Sequence, residues 1–528
     1  MNFHCVGYAG AYPFHQEHIT VRWQLMENHI SSDLRMSRTF ACSLLEQDVL
    51  QMLRKKSHEQ PCVRLALCGM IWDSETAYGG SFSSLLLLQN LLDRTFPACL
   101  DRFSGDFSFA YLSHDQSLIC LYRSITCTRC LYYRITEPTI TWSTNPADLF
   151  PSGQPTLAEI DVEMVAILTA TGQADPSRTC YQQVRCVPPG DCLCWKPDRT
   201  QSHVHFDYVL REDNTHLPSA QAAKRLREQV EAAVSRTLSG FSSPNVLLSG
   251  GLDTSIVAYE VSRQRGDVHG YHWTWQSGEQ RLFHDEDQAA QEVADLLGIS
   301  LHTLDFSTSI AHAGDYVRSM YGLALPYNHA FYACYAQTMT AVQAIRGAGD
   351  EHLLVGGHLG DTLFQGDWAD AFRLRRKSPF KLLHTLFNLL AWYPRGVALA
   401  TWWYLWTQDQ RDLEENLDRD RLEVHRSLMT PSFFERVLAK GNMDYRRRYP
   451  RSWKNLSAEC TRAGLQRSLD LSAHLQAAFQ YRDAIQQGVI LRHPLSDRLL
   501  HEFCLSLGAH HRTRWYAGQI FSKFLLRL

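Results

Sequence analysis

A Ser-Gly-Gly-Leu-Asp-Thr-Ser segment at residues 249–255 follows the apolar run 245–248 and precedes apolar residues at helical spacing. This order predicts a strand, a loop and the first turn of a helix. Adjacent glycines let backbone N–H groups come close to a phosphate, and a helix N-terminus favours negative charge there. The residues that we predict to bind phosphate are Ser249, Gly250, Gly251, Asp253, Thr254 and Ser255. Taken alone, the segment also fits an ordinary glycine turn after a buried strand.

A second segment with the same order lies at residues 353–364 and reads Leu-Leu-Val-Gly-Gly-His-Leu-Gly-Asp-Thr-Leu-Phe. It predicts another strand that ends in a glycine-rich turn, with Asp361 after the turn. Carboxylate oxygens are ligands that Mg²⁺ prefers, so Asp253 and Asp361 could hold one magnesium ion between them. In the alternative interpretation the two aspartates only cap helices, and sequence spacing does not separate the two readings.

Alternating strand and helix patterns from about residue 219 onward would position these two loops. Apolar runs at 268–275 and 301–306 predict strands, and the helical pattern between them covers 285–297. Such a βαβ series predicts a parallel sheet with helices on both faces. Ligands of these sheets bind outside the carboxyl ends of the strands, where both glycine-rich segments would lie.

The first part of the chain, to about residue 210, has a strand-rich pattern instead. Residues 107–112 and 139–143 alternate apolar and polar side chains between turn sequences. The polar segment 211–215 then leads into the first helical pattern. We therefore predict an α/β protein with one domain at 1–212 and a second at 213–528.

The composition is that of an ordinary globular protein, with 528 residues, 45% hydrophobic and 20% charged. A net charge of -3 gives no electrostatic argument for nucleic acid as a partner. The N-terminus lacks the basic and apolar regions of a secretory signal. The apolar stretch 382–406 is interrupted by polar residues and a proline, so it does not read as a membrane span. We expect a cytoplasmic protein.

The sequence contains 15 cysteines without an evident disulfide framework. Cys127 and Cys130 form one Cys-x-x-Cys pair, whereas the cysteines that follow, at 180, 186, 192 and 194, are unevenly spaced. A zinc site would call for a second matched pair. We expect reduced and mostly buried thiols, and the spacing leaves metal binding open.

Taken together, the motifs make the chain similar to the asparagine-synthetase-like superfamily of ATP-dependent amide-forming enzymes. The motifs that carry the resemblance are Ser249 to Ser255, Gly357 to Phe364, Asp285-Glu286, Arg492 to Asp497 and Lys523 to Arg527. Each is weak alone, but all of them occur in the order of the family. The resemblance implies ATP and Mg²⁺ as cofactors, with the first loop binding the pyrophosphate.

The same resemblance implies a fold for each half. Residues 1–212 would form an Ntn-glutaminase-like αββα domain, and residues 213–528 an adenine-nucleotide α-hydrolase-like synthetase domain with a parallel sheet. Glutaminases of this family use a cysteine at the new N-terminus, whose own amine is the base. Here residue 2 is Asn, and Cys5 is internal unless the first four residues are removed. We therefore expect an inactive glutaminase domain.

Loss of that cysteine resembles the members that close an amide on an amine already present in the substrate. The Gly-Gly-His-x-Gly-Asp form of the second loop looks closest to the lasso-peptide cyclases. These enzymes adenylate an Asp or Glu side chain of a precursor peptide and form a macrolactam with the peptide's N-terminal amine. The resemblance thus implies a precursor peptide as substrate and a leader-peptidase or recognition protein as partner.

Two residues are candidates for catalysis of the second step. His358 could accept the proton of the attacking amine, or it could only be hydrogen-bonded within its loop. Lys523 could stabilise the tetrahedral intermediate, or it could be a structural surface lysine. The family has another lysine beyond the Lys-x-x-Leu-Arg motif, and this sequence ends at Leu528 before reaching it.

Two other functions fit the same motifs. One is a small-molecule amide synthetase, as in β-lactam formation. The other is a non-catalytic relative that binds ATP or a peptide. The presence of both Asp253 and Asp361 argues against a pure binding protein.

Overall fold

The computed structural model describes residues 3–10, 20–27, 65–69, 72–73, 92–113, 118–126, 128–136, 139–144, 146–150, 155–171, 177–196, 201–210, 212–277, 280–282, 284–305, 332–346, 353–364, 430–436, 487–507, 513–516 and 519–522, with single positions at 387, 390, 399, 480, 481, 484 and 511. The helices are α1 (Val162–Thr171), α2 (Ser219–Thr237), α3 (Leu252–Gln264), α4 (His284–Leu297), α5 (Tyr332–Arg346), α6 (Gly360–Phe364) and α7 (Arg498–Ser506). Short 3-10 helices span Ala98–Arg102, Pro146–Leu149, Leu157–Glu159 and Pro494–Ser496.

The strands are numbered in chain order. Those before α2 are β1 (Phe3–Gly10), β2 (Thr20–Glu27), β3 (Leu65–Gly69), β4 (Trp72–Asp73), β5 (Phe103–Ser104), β6 (Phe107–Leu112), β7 (Ile119–Arg123), β8 (Tyr132–Thr136), β9 (Thr139–Ser143), β10 (Val184–Cys186), β11 (Asp191–Trp195) and β12 (Gln201–His205). Those after α2 are β13 (Asn245–Leu247), β14 (His269–Ser277), β15 (Gln280–Leu282), β16 (Ser300–Asp305), β17 (Leu353–Val355), β18 (Ile490–Arg492), β19 (Thr513–Tyr516) and β20 (Gln519–Ser522).

The N-terminal strands form two antiparallel sheets, in the orders β10-β8-β9-β1-β2 and β12-β11-β7-β6-β3. A buried cluster joins them, with side chains such as Ile140 and Trp142 from the first sheet and Leu121 and Trp195 from the second. The opposite face of the second sheet is also buried, under residues such as Leu100 and Phe103. The second sheet therefore lies between two apolar layers, which is the reason that β6 and β7 are buried along their whole length.

The C-terminal strands form a parallel sheet in the order β16-β14-β13-β17-β18, with the short β15 antiparallel to β14. Its first and central strand, β13, is buried along its whole length, as expected for a strand covered on both faces. The amphipathic helix α2 buries Leu226, Val230 and Val234 in the largest core cluster, which also contains Val257 of α3 and Ala290 of α4. Helices on the sheet faces thus supply the core.

The segment that connects the two halves packs along α7. The Tyr208 hydroxyl and His501 Nδ1 are hydrogen-bonded over 3.0 Å, and the Val209 N–H donates to Glu502 Oε1 over 3.0 Å. Asn214 Nδ2 donates to Ser506 Oγ over 2.8 Å. The predicted domain boundary between residues 212 and 213 falls within this connection and stays a prediction.

The α/β fold class predicted from the sequence is confirmed. The segments 107–112 and 139–143 form β6 and β9, and 285–297 corresponds to α4, which begins one residue earlier. The predicted strands at 268–275 and 301–306 are β14 and β16, shifted by one or two residues. No helix in the described part of the chain has the length and apolarity to cross a membrane.

The buried ring of His501 makes stability depend on pH. Its Nε2 donates to the Leu495 carbonyl oxygen over 2.8 Å, so its Nδ1 accepts from the Tyr208 hydroxyl. Both nitrogens of the neutral ring are therefore hydrogen-bonded. Burial lowers the pKa of His501 from 6.5 to about 4. An unfolded chain therefore takes up a proton below about pH 6.5 that the folded chain does not bind until about pH 4.

We expect the stability to be complete above about pH 6.5 and to fall with pH between these two values, by roughly 1.4 kcal/mol per pH unit for this group. His501→Gln removes the titrating group and should flatten the decline. The measurement is the melting temperature at a series of pH values for wild type and variant. Curves that stay parallel, with or without a uniform offset, would contradict the assignment, because the pH dependence would then not come from His501.

Candidate active site at the switch point of the parallel sheet

The two glycine-rich loops leave neighbouring strands at the point where the sheet order reverses. The crossovers from β13 lead through β14 to β16 on one side, and β17 and β18 lie on the other side of β13. In parallel sheets the crevice outside the carboxyl ends of the strands at this switch point binds ligands. The loop after β13 and the loop after β17 both begin there, so the topology brings together the two segments that carry Asp253 and Asp361.

The first loop requires glycine at residue 250. Its φ of 78° lies in the left-handed region, and a Cβ there would lie 2.8 Å from the Ala290 nitrogen and 2.9 Å from the Ala289 Cβ. The loop therefore lies directly on the small residues of α4, which explains the Ala-Ala pair in that helix. Gly251 is the N-cap of α3 in extended conformation, and no side chain caps the helix.

The hydroxyl groups of the first loop are organised by bonds within the loop. The Ser249 N–H donates to Thr254 Oγ1 over 3.1 Å, and the two hydroxyl oxygens are 3.0 Å apart. Thr254 Oγ1 also donates to the Gly251 carbonyl over 3.2 Å, and the Gly251 N–H donates to Ser249 Oγ over 3.3 Å. Both side chains were predicted to donate to phosphate, and here they first fix the shape of the loop.

A second layer of polar contacts holds the base of this loop. His272 on β14 lies with Nδ1 2.9 Å from the Leu248 carbonyl and with Nε2 2.8 Å from Asp287 Oδ1. Thr274 donates to the other oxygen of Asp287 over 2.9 Å. Leu248, the residue just before the loop, is therefore connected to α4 through the side chains of His272 and Asp287.

These features fit a phosphate group. The N-terminus of α3, a helix of 13 residues, faces the loop without a side-chain cap and carries the positive end of the helix dipole. The Ser255 Oγ in its first turn is buried and makes no hydrogen bond within the described part of the chain. A phosphate oxygen would give that hydroxyl an acceptor. The binding roles of Ser249, Gly250, Gly251, Asp253, Thr254 and Ser255 stay predictions.

The second loop touches the first at a glycine. A Cβ on Gly360 would lie 2.1 Å from Cγ and 2.4 Å from Oδ2 of Asp253, and one on Gly357 would lie 3.0 Å from Thr254 Cγ2. Leu359, between them, has a φ of 76°, which is strained for a residue with a branched side chain. This strained backbone conformation lets the start of α6 contact the Asp253 carboxylate.

Asp361 follows Gly360 directly in α6, so its backbone is next to the Asp253 contact. The side chain of Asp361 lies outside the described residues. Two carboxylates on loops in contact are the oxygen donors that a magnesium ion bridging phosphates needs. The magnesium site at Asp253 and Asp361 thus fits the backbone arrangement and stays a prediction.

A third strand end contributes a histidine that our sequence analysis did not single out. His493 follows β18, and its Nδ1 lies 3.4 Å from the Gly356 carbonyl. Its ring is 5.2 Å from that of His358, centroid to centroid. The signal was present in the sequence, because His493 follows a strand directly within the Arg-His-Pro-Leu-Ser-Asp motif, but its neighbour is known only once β18 is placed beside β17.

The environment keeps His493 neutral. Burial lowers its pKa to about 3, and the neighbouring His358 ring acts in the same direction. The Gly356 carbonyl and Asp106 oppose this shift but do not cancel it. His358 therefore faces an uncharged imidazole at neutral pH, which does not oppose positive charge on His358. Lys523, the other catalytic candidate, lies outside the described residues, directly after β20.

The comparisons with known proteins agree with this geometry. The family model for asparagine synthase matches residues 225–527, more than half of the chain, and the model for a glutamine amidotransferase domain matches residues 84–206. The chain belongs to the asparagine synthase family. Its C-terminal half is thus an ATP-dependent amide-forming synthetase domain, and the N-terminal half is a glutamine-amidotransferase-like domain. No curated protein matches the sequence.

Solved structures give only distant likenesses. The chain is 16% identical to a U34-tRNA thiolase, NcsA, from Methanococcus maripaludis, over 50% of this chain and 80% of the other, with a TM-score of 0.21. It is 14% identical to an NMN synthetase from Francisella tularensis over 46% and 100% of the two chains, with a TM-score of 0.21. An NH3-dependent NAD synthetase from Campylobacter jejuni is 11% identical over 44% and 98%, with a TM-score of 0.19. At these scores the likenesses carry no argument.

The contact at Gly360 gives a direct test of this site. Gly360→Ala would place a methyl group where the Asp253 carboxylate lies, so we expect AMP formation from ATP to fall by at least about tenfold. Gly266→Ala is the matched control, because a Cβ there meets nothing within 4 Å. Equal AMP formation by the two variants, measured at saturating ATP, would show that the loop contact does not matter for activity.

Proposed function

We propose that this member of the asparagine synthase family is a lasso-peptide-type cyclase. It adenylates an Asp or Glu side chain of a precursor peptide and joins that carboxyl group to the peptide's own N-terminal amine. The observation that carries the proposal is the contact of the two loops at Gly360 and Asp253, which brings the loop that we predict to bind phosphate next to the loop that carries His358. An enzyme that forms an amide through an acyl-adenylate needs both functions side by side.

In the first half-reaction a carboxylate oxygen of the peptide attacks the α-phosphorus of ATP. The bond from that phosphorus to the bridging oxygen breaks, and pyrophosphate leaves with the added negative charge. The N–H groups at the start of α3 and the Ser255 hydroxyl would stabilise that charge. A magnesium ion held by Asp253 and Asp361 would neutralise charge on the phosphates.

In the second half-reaction the amine nitrogen attacks the acyl carbon, and AMP leaves as the C–O bond breaks. The nitrogen must lose a proton, and a neutral imidazole is a suitable acceptor. His358 on the second loop is our candidate for this base. Because the His493 ring beside it is neutral, it does not repel the positive charge that His358 gains. Lys523 stays the candidate for stabilising the tetrahedral intermediate.

The position of Cys5 supports an amine that comes from the substrate. Cys5 lies inside β1, opposite Leu25 of β2, and Phe3 and His4 precede it in the same strand. Its nitrogen is part of a peptide bond and has no free amine to act as the base of a glutaminase. As long as residues 1–4 precede Cys5, the domain has no such base for releasing ammonia, and our proposed nucleophile is an amine that the peptide already carries.

The same reasoning suggests how the substrate arrives. Cyclisation requires the peptide's amine and its acceptor carboxylate to be held together, because proximity replaces a bimolecular encounter. We propose that a recognition protein or leader peptidase of the same pathway delivers the precursor peptide and exposes its amine.

The first test is the release of AMP and pyrophosphate from ATP with and without a candidate precursor peptide. We expect peptide-dependent AMP formation and a product lighter than the peptide by one water. Asp253→Ala should abolish both, because the first loop loses its carboxylate. Asp267→Ala is the control, since that aspartate is exposed and lies away from the loops.

The other outcomes of this experiment would each support a different conclusion. AMP release that needs only a small amino acid would replace the proposal with a small-molecule amide synthetase. ATP binding without AMP under any peptide would indicate a non-catalytic relative. Activity that survives in Asp253→Ala would contradict the assignment of the first loop.

A second prediction separates the two half-reactions. His358→Asn keeps a polar side chain but removes the base, so adenylation should continue while macrolactam formation falls by about 10²-fold or more. The measurement is the ratio of pyrophosphate released to cyclic product, with Asp253→Ala as the variant that loses both. An unchanged ratio in His358→Asn would rule out His358 as the base of the second step.

A further inference from the structure

Three cysteines converge on strands β7 and β11 in the N-terminal half. β7 and β11 are antiparallel neighbours, and their register places Cys194 directly opposite Cys120. Cys192 precedes Cys194 by two residues, so both project from the same face of β11. All three side chains are buried, and their Sγ atoms lie within 4.8 Å of one another, with 4.0 Å between Cys120 and Cys194.

These distances are close to those of a thiolate metal site. With Zn–S bonds of about 2.3 Å, the sulfurs of a tetrahedral site are about 3.8 Å apart. The Sγ separation of Cys120 and Cys194 is already near this value, and the third sulfur needs to move by no more than about an ångström. We propose that Cys120, Cys192 and Cys194 bind one Zn²⁺ ion as a structural site.

The number of thiols distinguishes this proposal from a disulfide. A disulfide would need an S–S distance of about 2.05 Å and would use two of the sulfurs, leaving the third without a role. A zinc ion uses all three. Three thiolates and one Zn²⁺ ion leave a single net negative charge, and a fourth thiolate would make it two.

The surroundings allow a closed, tetrahedral site. The cluster lies on the face of the second sheet that is covered by residues 98–103, among Phe109 and Tyr122. Cys99 belongs to the same buried cluster, and its sulfur lies outside the group of three that are within 4.8 Å of one another. It would complete the four ligands of a structural zinc site only after its side chain shifts toward the ion. Such a site would connect β7, β11 and the segment that covers them.

The experiment measures zinc in the full-length protein. The chain is purified with a reducing agent after growth with zinc, and its metal content is measured by mass spectrometry. We expect about one equivalent in wild type and a reduction of about tenfold in Cys192→Ser, since loss of one ligand removes a large part of the affinity. Cys180→Ser is the matched control, because Cys180 is a buried thiol that packs with Met164 outside the cluster.

A second readout keeps the test decisive if Cys192→Ser does not fold. Co²⁺ replaces zinc in the wild-type protein, and its sulfur-to-metal charge-transfer absorption reports the number of thiolate ligands. An intensity for three or four thiolates supports the site, and Cys120→Ser should lower it. Zinc-free wild type, equal zinc in Cys192→Ser and Cys180→Ser, or a Cys120–Cys194 disulfide in a non-reduced peptide map would each overturn the proposal. None of these outcomes depends on whether the protein cyclises a peptide.

Discussion

The approach of the second loop to the Asp253 carboxylate is the constraint on which the rest of the synthetase half depends. No side chain fits at Gly360, because the first atom of one would occupy the place of the carboxylate. The contact is possible only because β13 and β17 are paired, and buried Asn245 fixes that pair by donating to the Leu353 carbonyl over 3.0 Å. The pairing of β13 with β17, the buried Asn245 amide, and the two glycines Gly357 and Gly360 thus together form the crevice.

The third motif of the chain ties this crevice to the helical layer. Arg492 donates to the Ser239 carbonyl over 3.2 Å, at the carboxyl end of α2, where a cation is favoured. Asp497 pairs with Arg236 over 2.8 Å and also caps α7 through the Leu499 and Leu500 N–H groups. Between these anchors His493 reaches the second loop. Residues 492–497 are held in place at both ends, and this fixes the position of His493 at the site.

The sequence predicts the parts of this structure that depend on local pattern. The alternation in β9 and the helical spacing in α4 were sufficient to place these elements, because burial on one side imposes a period on the sequence. β6 was placed by its alternation too, although both of its faces are buried. The glycine-rich loops were recognisable for a similar reason, since few residues other than glycine adopt the φ of Gly250. What the sequence did not show was the contact of Gly360 with Asp253, which arises from strands 108 residues apart.

The cysteines and His493 illustrate the same limit. Cys192 and Cys194 alternate onto one face of a strand, but their spacing matches no metal motif, and Cys120 is 74 residues from Cys194 in the chain. Only the strand register brings the three together. A site assembled from one residue per element has no signature in a linear sequence, whereas a loop that binds phosphate through its backbone has one.

The glutamine-amidotransferase-like N-terminal half contacts the segment that carries the third motif. Arg129 pairs with Asp106 over 2.6 Å and lies 4.0 Å from the centre of the Tyr481 ring, in the C-terminal half. Arg498 at the start of α7 donates to the Phe103 carbonyl over 3.3 Å. Asp106 also acts electrostatically on His493. These contacts place the first domain directly behind the third motif, so its fold supports the position of that motif.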